Sequence, residues 1–128
     1  MSQARQLLGR AAEALVAERL ERRGMLVLAR NERTSSVRGE IDLVALDGRA
    51  LVFVEVKART EGASIGPERP ALAVGRRKRQ RLRSLALAWL RDHRGSVPPH
   101  AALRFDVVGV RVDSQGVVTE IEHLEAAF

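Results

Sequence analysis

No cysteine occurs among the 128 residues, which excludes disulfides, thiol nucleophiles and thiolate metal ligands. Any metal would have to be held by oxygen or imidazole. Tyrosine is also absent, and Trp89, Phe53, Phe105 and Phe128 are the whole aromatic supply. Recognition of single strands by base stacking is therefore not expected, whereas contact with a phosphate backbone stays open. No apolar run approaches the roughly 20 residues that span a bilayer. The start, Met1-Ser2-Gln3-Ala4-Arg5, leads into a mixed polar and apolar segment without a signal-peptide core. The expectation is a soluble, cytoplasmic chain with no membrane partner.

Hydrophobic residues make up 45% and charged residues 30%, a composition that suits one domain over residues 1–128 with one buried core. Lys and Arg number 22 against 16 Asp and Glu, giving a net charge of +6 and a pI near 11.3. That excess favours a polyanionic partner. Arg76-Arg77-Lys78-Arg79, with Arg81 and Arg83, is the densest positive patch. On a helix these side chains would surround the axis rather than form one clean face.

Helical spacing runs from Ser2, a suitable N-cap, to Arg23, with Leu8, Ala12, Leu15, Val16 and Leu20 on one stripe and Gly24 placed to end it. Met25 to Arg30 reads as a strand entering the polar stretch Asn31 to Gly39. Strands are expected at Glu40 to Leu46 and Ala50 to Arg59, joined by Asp47-Gly48 as a type I′ hairpin turn. Thr60 to Pro70, with Gly62, Gly66, Pro67 and Pro70, reads as a mobile loop. Leu82, Leu85, Ala86, Trp89 and Leu90 mark a second amphipathic helix, with Trp89 in the core. Leu103 to Val112 and Val117 to Leu124 are the last strands. The helix between the third and fourth strands is long enough for a right-handed crossover, so those two strands are expected to be parallel.

Alternation along the third strand puts Leu51, Phe53, Glu55, Lys57 and Arg59 on one face and Val52, Val54, Val56 and Ala58 on the other. If Asp47-Gly48 forms the loop, Asp42 lies opposite Phe53 and Glu40 opposite Glu55, and Asp42 and Glu55 become diagonal neighbours on one face. A shift of two residues would set them directly opposite. Converging carboxylates repel one another, and a Lys or a divalent cation relieves the repulsion. Mg²⁺ accepts carboxylate oxygens and keeps several waters, which suits phosphoryl chemistry. Lys57 could polarise an attacking water or stabilise developing charge. Glu13 falls about 140° from Leu8, at the edge of the apolar stripe, within reach of a site where helix meets sheet. A plainer role for it is a surface pair with Arg10. Lys78, four residues before Leu82, extends the buried stripe into the first turn and is a better site contact than Gln80. His93, His100 and His123 read as surface or packing residues; Asp106 could approach the site, but an ion pair with an Arg is the preferred reading.

The segments Gly39-Glu40-Ile41-Asp42-Leu43-Val44, Val52-Phe53-Val54-Glu55-Val56-Lys57-Ala58-Arg59 and Arg104-Phe105-Asp106-Val107-Val108 occur in this order. In this the chain resembles the YraN family of small bacterial proteins, endonuclease-like members of the PD-(D/E)XK superfamily similar to archaeal Holliday-junction resolvases. The resemblance runs from about Gly9 to Phe128. It implies an α+β (α/β) fold with a restriction-endonuclease-like core, a mixed sheet flanked by helices in the order αβββαβ, followed by a C-terminal strand. Asp42 corresponds to the motif's first acid, Glu55 to the second, Lys57 to its lysine, and Glu13 to the helix glutamate of resolvase-like relatives; Ile41 stands where the motif has proline.

The implied activity is Mg²⁺- or Mn²⁺-dependent endonucleolytic hydrolysis of DNA, branched or structured DNA included. Glu13, Asp42, Glu55 and Lys57 would be catalytic, with the metal on Asp42, Glu55 and the Val56 carbonyl. Arg59, Arg76, Arg77, Lys78, Arg79 and Arg81 would contact nucleic acid, DNA being favoured over RNA. A resolvase-like activity would also call for a two-fold homodimer. The alternative is a non-catalytic nucleic-acid-binding module on a nuclease fold.

Overall fold

The computed structural model describes residues 3–60 and 74–128. The expected Ser2 cap lies outside these residues, as does the expected Thr60 to Pro70 loop except for Thr60, which ends a strand instead. Helix α1 covers Gln3–Arg22. Ala12, Val16 and Leu20 of its expected stripe are buried together with Ala17. The helix ends as expected at Gly24, whose φ of +91° suits glycine. There the Gly24 N–H donates to the Glu21 carbonyl and the Met25 N–H to the Leu20 carbonyl, the paired bonds of a Schellman motif. Met25 and Leu20 both enter the core, which supplies the apolar contact that accompanies this motif.

Strands β1 (Leu26–Glu32), β2 (Ile41–Asp47) and β3 (Ala50–Thr60) form an antiparallel meander. Helix α2 (Arg76–Asp92) then carries the chain to β4 (Ala102–Val112), which runs parallel to β3 as the crossover argument expected. Strand β5 (Val118–Leu124) pairs antiparallel with β4 at the edge. The sheet order is β1-β2-β3-β4-β5, so the described residues form an α+β fold built on one mixed five-stranded sheet and two helices.

One turn differs from expectation. Asp47 pairs with Ala50, so the loop residues are Gly48-Arg49 rather than Asp47-Gly48. Gly48 has φ +58° and Arg49 is not among the positive-φ residues, the pattern of a II′ rather than a I′ turn. The register consequently moves by two, with Leu46 opposite Leu51 and Leu43 opposite Val54. Continued by one position, it sets Asp42 level with Glu55.

Two cores flank the sheet. Leu43, Ala45, Val52, Val54, Val108 and Val110 pack against α1. Val44, Leu51, Phe53 and Val107 pack against Leu82, Leu85, Ala86 and Trp89 of α2. β3 is therefore covered on both sides, which explains its near-continuous apolar run. Trp89 is core, edge-on to Phe53 at 5.9 Å, and donates through Nε1 to Glu32 at 3.0 Å. Gly39, at φ +125°, lets the segment entering β2 pass under α2; a Cβ there would stand 3.2 Å from Leu85 Cδ1.

Away from the β2–β3 acids, Asp106 is fully buried and accepts hydrogen bonds from Arg104 Nε and Nη2, each at 2.9 Å, and from the Ala126 N–H at 3.0 Å. His123 Nε2 lies 2.8 Å from its other side. The expected Asp106–Arg pair is present, and His123 is a buried packing residue. His93 stacks on Trp89 at 4.2 Å. Among the described residues, no helix is long and apolar enough to cross a membrane.

Candidate functional site

The β2–β3 ladder is paired up to Leu43–Val54 and then opens. Ile41 packs in the α2 core although Leu43, two residues on, packs in the α1 core. Simple alternation would put both on one side, so β2 rotates across Asp42. The rotation brings the Asp42 carboxylate to the backbone of β3, where Oδ2 accepts the Val56 N–H at 2.8 Å. A side chain thus takes the place of the next ladder bond. In an extended strand the N–H and C=O of one residue face the same neighbour. The Val56 carbonyl consequently faces the same gap.

Around that gap Glu13, Glu40 and Asp42 offer carboxylate oxygens that all lie within 4.8 Å of one another. Glu13 comes from the buried edge of α1, Glu40 and Asp42 from the entry to β2. Ligand oxygens at about 2.1 Å from an octahedral ion are at most about 4.2 Å apart, so the cluster needs only a small contraction to hold a divalent cation. Asn31 holds two of the three in place: its Nδ2 donates to Glu13 at 2.6 Å and to Glu40 at 3.3 Å. Asn31 has φ +52°, the left-handed region that asparagine tolerates better than most residues. Arg10 donates to Glu40 at 3.1 Å and to Glu13 at 3.4 Å, so the plainer Arg10–Glu13 pair is present within the cluster. Arg33 adds a longer contact to Glu40, 3.6 Å.

The electrostatic result is concentrated on Asp42. Burial, then the charge of Glu55, and further the charge of Glu13 and a hydrogen bond shared with it, raise its pKa to about 8 against the opposing Val56 N–H bond. Asp42 accordingly keeps its proton to higher pH than an ordinary carboxyl, in a place that a cation would take over by displacing it.

Glu55 and Lys57 share the α2 side of β3. Glu55 is buried, and its Oε1 is 2.8 Å from Lys78 Nζ in the first turn of α2. Burial lowers the pKa of Lys57, and the charges of Lys78 and Arg59 lower it further, against the pull of Glu55. Lys78 meets the site, as its place on the buried stripe suggested, and Gln80 faces away into the groove beside Arg76. The geometry thus brings together all four expected catalytic residues in two adjoining groups: Asp42 with Glu13, and Glu55 with Lys57.

Glu40 and Asn31 are part of this arrangement and were not nominated as site residues from the sequence; Arg10 was named there only as the plainer partner of Glu13. For Glu40 a signal existed, since it lies two residues before Asp42 and alternation makes such residues neighbours. Asn31 carried none, because its contribution depends on a left-handed backbone.

The basic residues Arg76, Arg77, Arg79 and Arg81 are all exposed, as is Arg59 at the far end of β3. They do surround α2, in two flanks divided by its buried stripe. Arg76, Arg79 and Arg83 line an open groove of about 490 Å³ with Gly75, Gln80 and Phe128. Arg79 and Arg83 lie over the Phe128 ring at 5.7 and 5.3 Å, which orients both guanidinium groups. On the opposite flank Arg81 passes beside Gly39, close to Glu40 in the chain.

The fold and site define a small α+β protein with a carboxylate cluster where two central strands part, flanked by a basic helix. The chain belongs to the uncharacterised protein family UPF0102, whose model matches residues 12–110. This is the family to which the YraN-like motifs pointed. It is 51% identical over 118 residues to a UPF0102 protein of Streptomyces griseus, covering 91% of this chain and 93% of that one. It is 47% identical over 124 residues to one from Anaeromyxobacter dehalogenans, covering 97% and 85%. It is 43% identical to one from Pelotomaculum thermopropionicum over 128 residues, the full length of both.

Proposed function

We propose that this protein is a metal-dependent endonuclease that hydrolyses phosphodiester bonds in DNA, with its centre at the parted ends of β2 and β3. The observation that carries the reading is the convergence of Glu13, Glu40 and Asp42 within 4.8 Å, beside Glu55 and Lys57. The order helix, three-stranded meander, helix, parallel strand agrees with the restriction-endonuclease-like core that the motifs implied, and adds support.

Asp42, with Glu13 or Glu40 and the Val56 carbonyl, would hold Mg²⁺ or Mn²⁺, and Glu55 stands next to them. When bound, such an ion neutralises charge on a phosphoryl oxygen and lowers the pKa of water. Lys57 sits beside Glu55 with a pKa below the usual lysine range, so it can position the attacking water and yield a proton more readily than an exposed lysine. Water would then add to phosphorus and lose one proton to solvent, the bond to one ester oxygen would break, and that oxygen would take up a proton from Lys57, which regains one from solvent. Arg81 and Arg77 on one flank of α2, and Arg76 and Arg79 on the other, supply phosphate contacts, with Arg59 beyond Lys57. Such contacts fix the strand without reading its sequence.

A second reading, a non-catalytic nucleic-acid-binding module, is favoured by one observation. Arg10, Asn31 and Lys78 already engage Glu13, Glu40 and Glu55 without a metal ion. Parallel binding and cleavage assays on branched, nicked, duplex and single-stranded DNA, with Mg²⁺ or Mn²⁺, separate the two. The nuclease reading expects cleavage by the wild type and loss of cleavage with retained binding in Glu55→Ala and Lys57→Ala. Binding by the wild type with no cleavage of any substrate supports the module instead. Undiminished cleavage by Glu55→Ala would overturn the site assignment.

A further inference from the structure

The carboxylates that approach one another closely are Glu13, Glu40 and Asp42; Glu55, although near enough to raise the Asp42 pKa, is engaged elsewhere. Its Oε1 is bound at 2.8 Å by Lys78, and the Glu55 side chain is 10% exposed against 43% for Lys78. One partner is thus fixed in the wall and the other opens to solvent. Lys78 belongs to the first turn of α2, between the exposed Arg77 and Arg79, whose charges would draw a phosphate towards it. Lys57 stands against the same pair, so two ammonium groups compete for one carboxylate.

Resting on the nuclease reading, we propose that Lys78 is a positioning residue that withholds Glu55 from the cation site until a phosphate draws the lysine away. Without nucleic acid, a divalent cation is held by the Glu13, Glu40 and Asp42 group alone. A phosphodiester at α2 offers Lys78 another anionic partner, and the freed Glu55 turns its charge to the cation. Polyanion and cation binding are thereby coupled through one ion pair. Thermodynamic linkage requires the coupling to be reciprocal, so each ligand strengthens the other by the same factor. A partly open lysine suits this role because its ammonium can exchange partners at the solvent edge, while the cation replaces it as the partner of the buried Glu55, which would otherwise be left uncompensated.

The test is a double-mutant cycle on Lys78 and Glu55, read as Mn²⁺ affinity by calorimetry in the absence of nucleic acid. Glu55→Gln is expected to leave affinity nearly unchanged in the wild-type background and to lower it about tenfold in Lys78→Met, the size of one coupled contact. Lys78→Arg retains a cation for Glu55 and should behave as the wild type. Arg77→Met, which removes an equal charge from the same turn, controls for simple electrostatics and should show no such dependence. With a short phosphorothioate DNA duplex present, Glu55→Gln should lower Mn²⁺ affinity without any change at Lys78. Equal effects of Glu55→Gln in both backgrounds overturn the inference while leaving the nuclease reading intact. Failure of Mn²⁺ to bind the wild type, or binding unaffected by Asp42→Asn, overturns that reading and the inference with it.

Discussion

Asp42 concentrates the electrostatic stress of this protein in one carboxyl. With a folded pKa near 8 and an ordinary value of 3.8 when unfolded, it binds a proton in the folded state that the unfolded chain lacks over the interval between. Its contribution to stability is therefore full below the unfolded value and is lost as pH rises through about 8. Denaturant titrations in a chelator at pH 5 and pH 9 should show wild-type stability falling towards alkaline pH more steeply than that of Asp42→Asn. Equal slopes would contradict the assigned protonation. Asp106 presents the opposite case. Burial alone would raise its pKa, but bonds from His123, Arg104 and the Ala126 N–H outweigh burial and hold it below the usual range. Its stabilisation is present above the unfolded value and lost as pH falls through the lower folded one. Asp106→Ala, which leaves Arg104 and His123 without their buried partner, should destabilise by about 3–5 kcal/mol at neutral pH. Thermal unfolding with a calibrated reference measures it, and a loss below about 1 kcal/mol would show the network to be dispensable.

Among the elements, β2 determines whether the acids meet. Gly39 enables its entry, with both a positive φ and a close approach to Leu85. Gly39→Ala adds backbone strain to a steric conflict, and should cost about 1–3 kcal/mol in urea unfolding while Gly48→Ala, which meets no neighbour, costs less. Equal losses would mean that packing against α2 is irrelevant. Most element types and the parallel β3–β4 pair were legible because the apolar periods of Leu82 to Trp89 and of Leu51 to Lys57 differ plainly. The hairpin register was not, because Asp47-Gly48 and Gly48-Arg49 both present glycine to a two-residue turn. For the site, Glu13, Asp42, Glu55, Lys57 and Lys78 could be nominated from face and motif. Glu40, two residues before Asp42, could have been nominated by the same alternation; Asn31 could not, since its place in the site depends on a left-handed backbone that no strand pattern announces.

For the molecule as a whole, a net charge of +6 with exposed arginines on both flanks of α2 should yield nucleic-acid binding that weakens steeply with salt. Paired variants separate the flanks: Arg77→Gln with Arg81→Gln, and Arg79→Gln with Arg83→Gln. Each pair should reduce the slope of log affinity against log salt by about 2, roughly one unit for each phosphate that is no longer neutralised. An unchanged slope in either pair would remove that flank from the interface. The claim on which the account turns is that the parted ends of β2 and β3 form a cation site. Anomalous diffraction from a crystal soaked in Mn²⁺ tests it most directly. The account predicts a peak about 2 Å from an Asp42 carboxylate oxygen and from Glu13 or Glu40. Soaked crystals with no peak there, and with Glu13 and Glu40 still bound to Arg10 and Asn31, would contradict it.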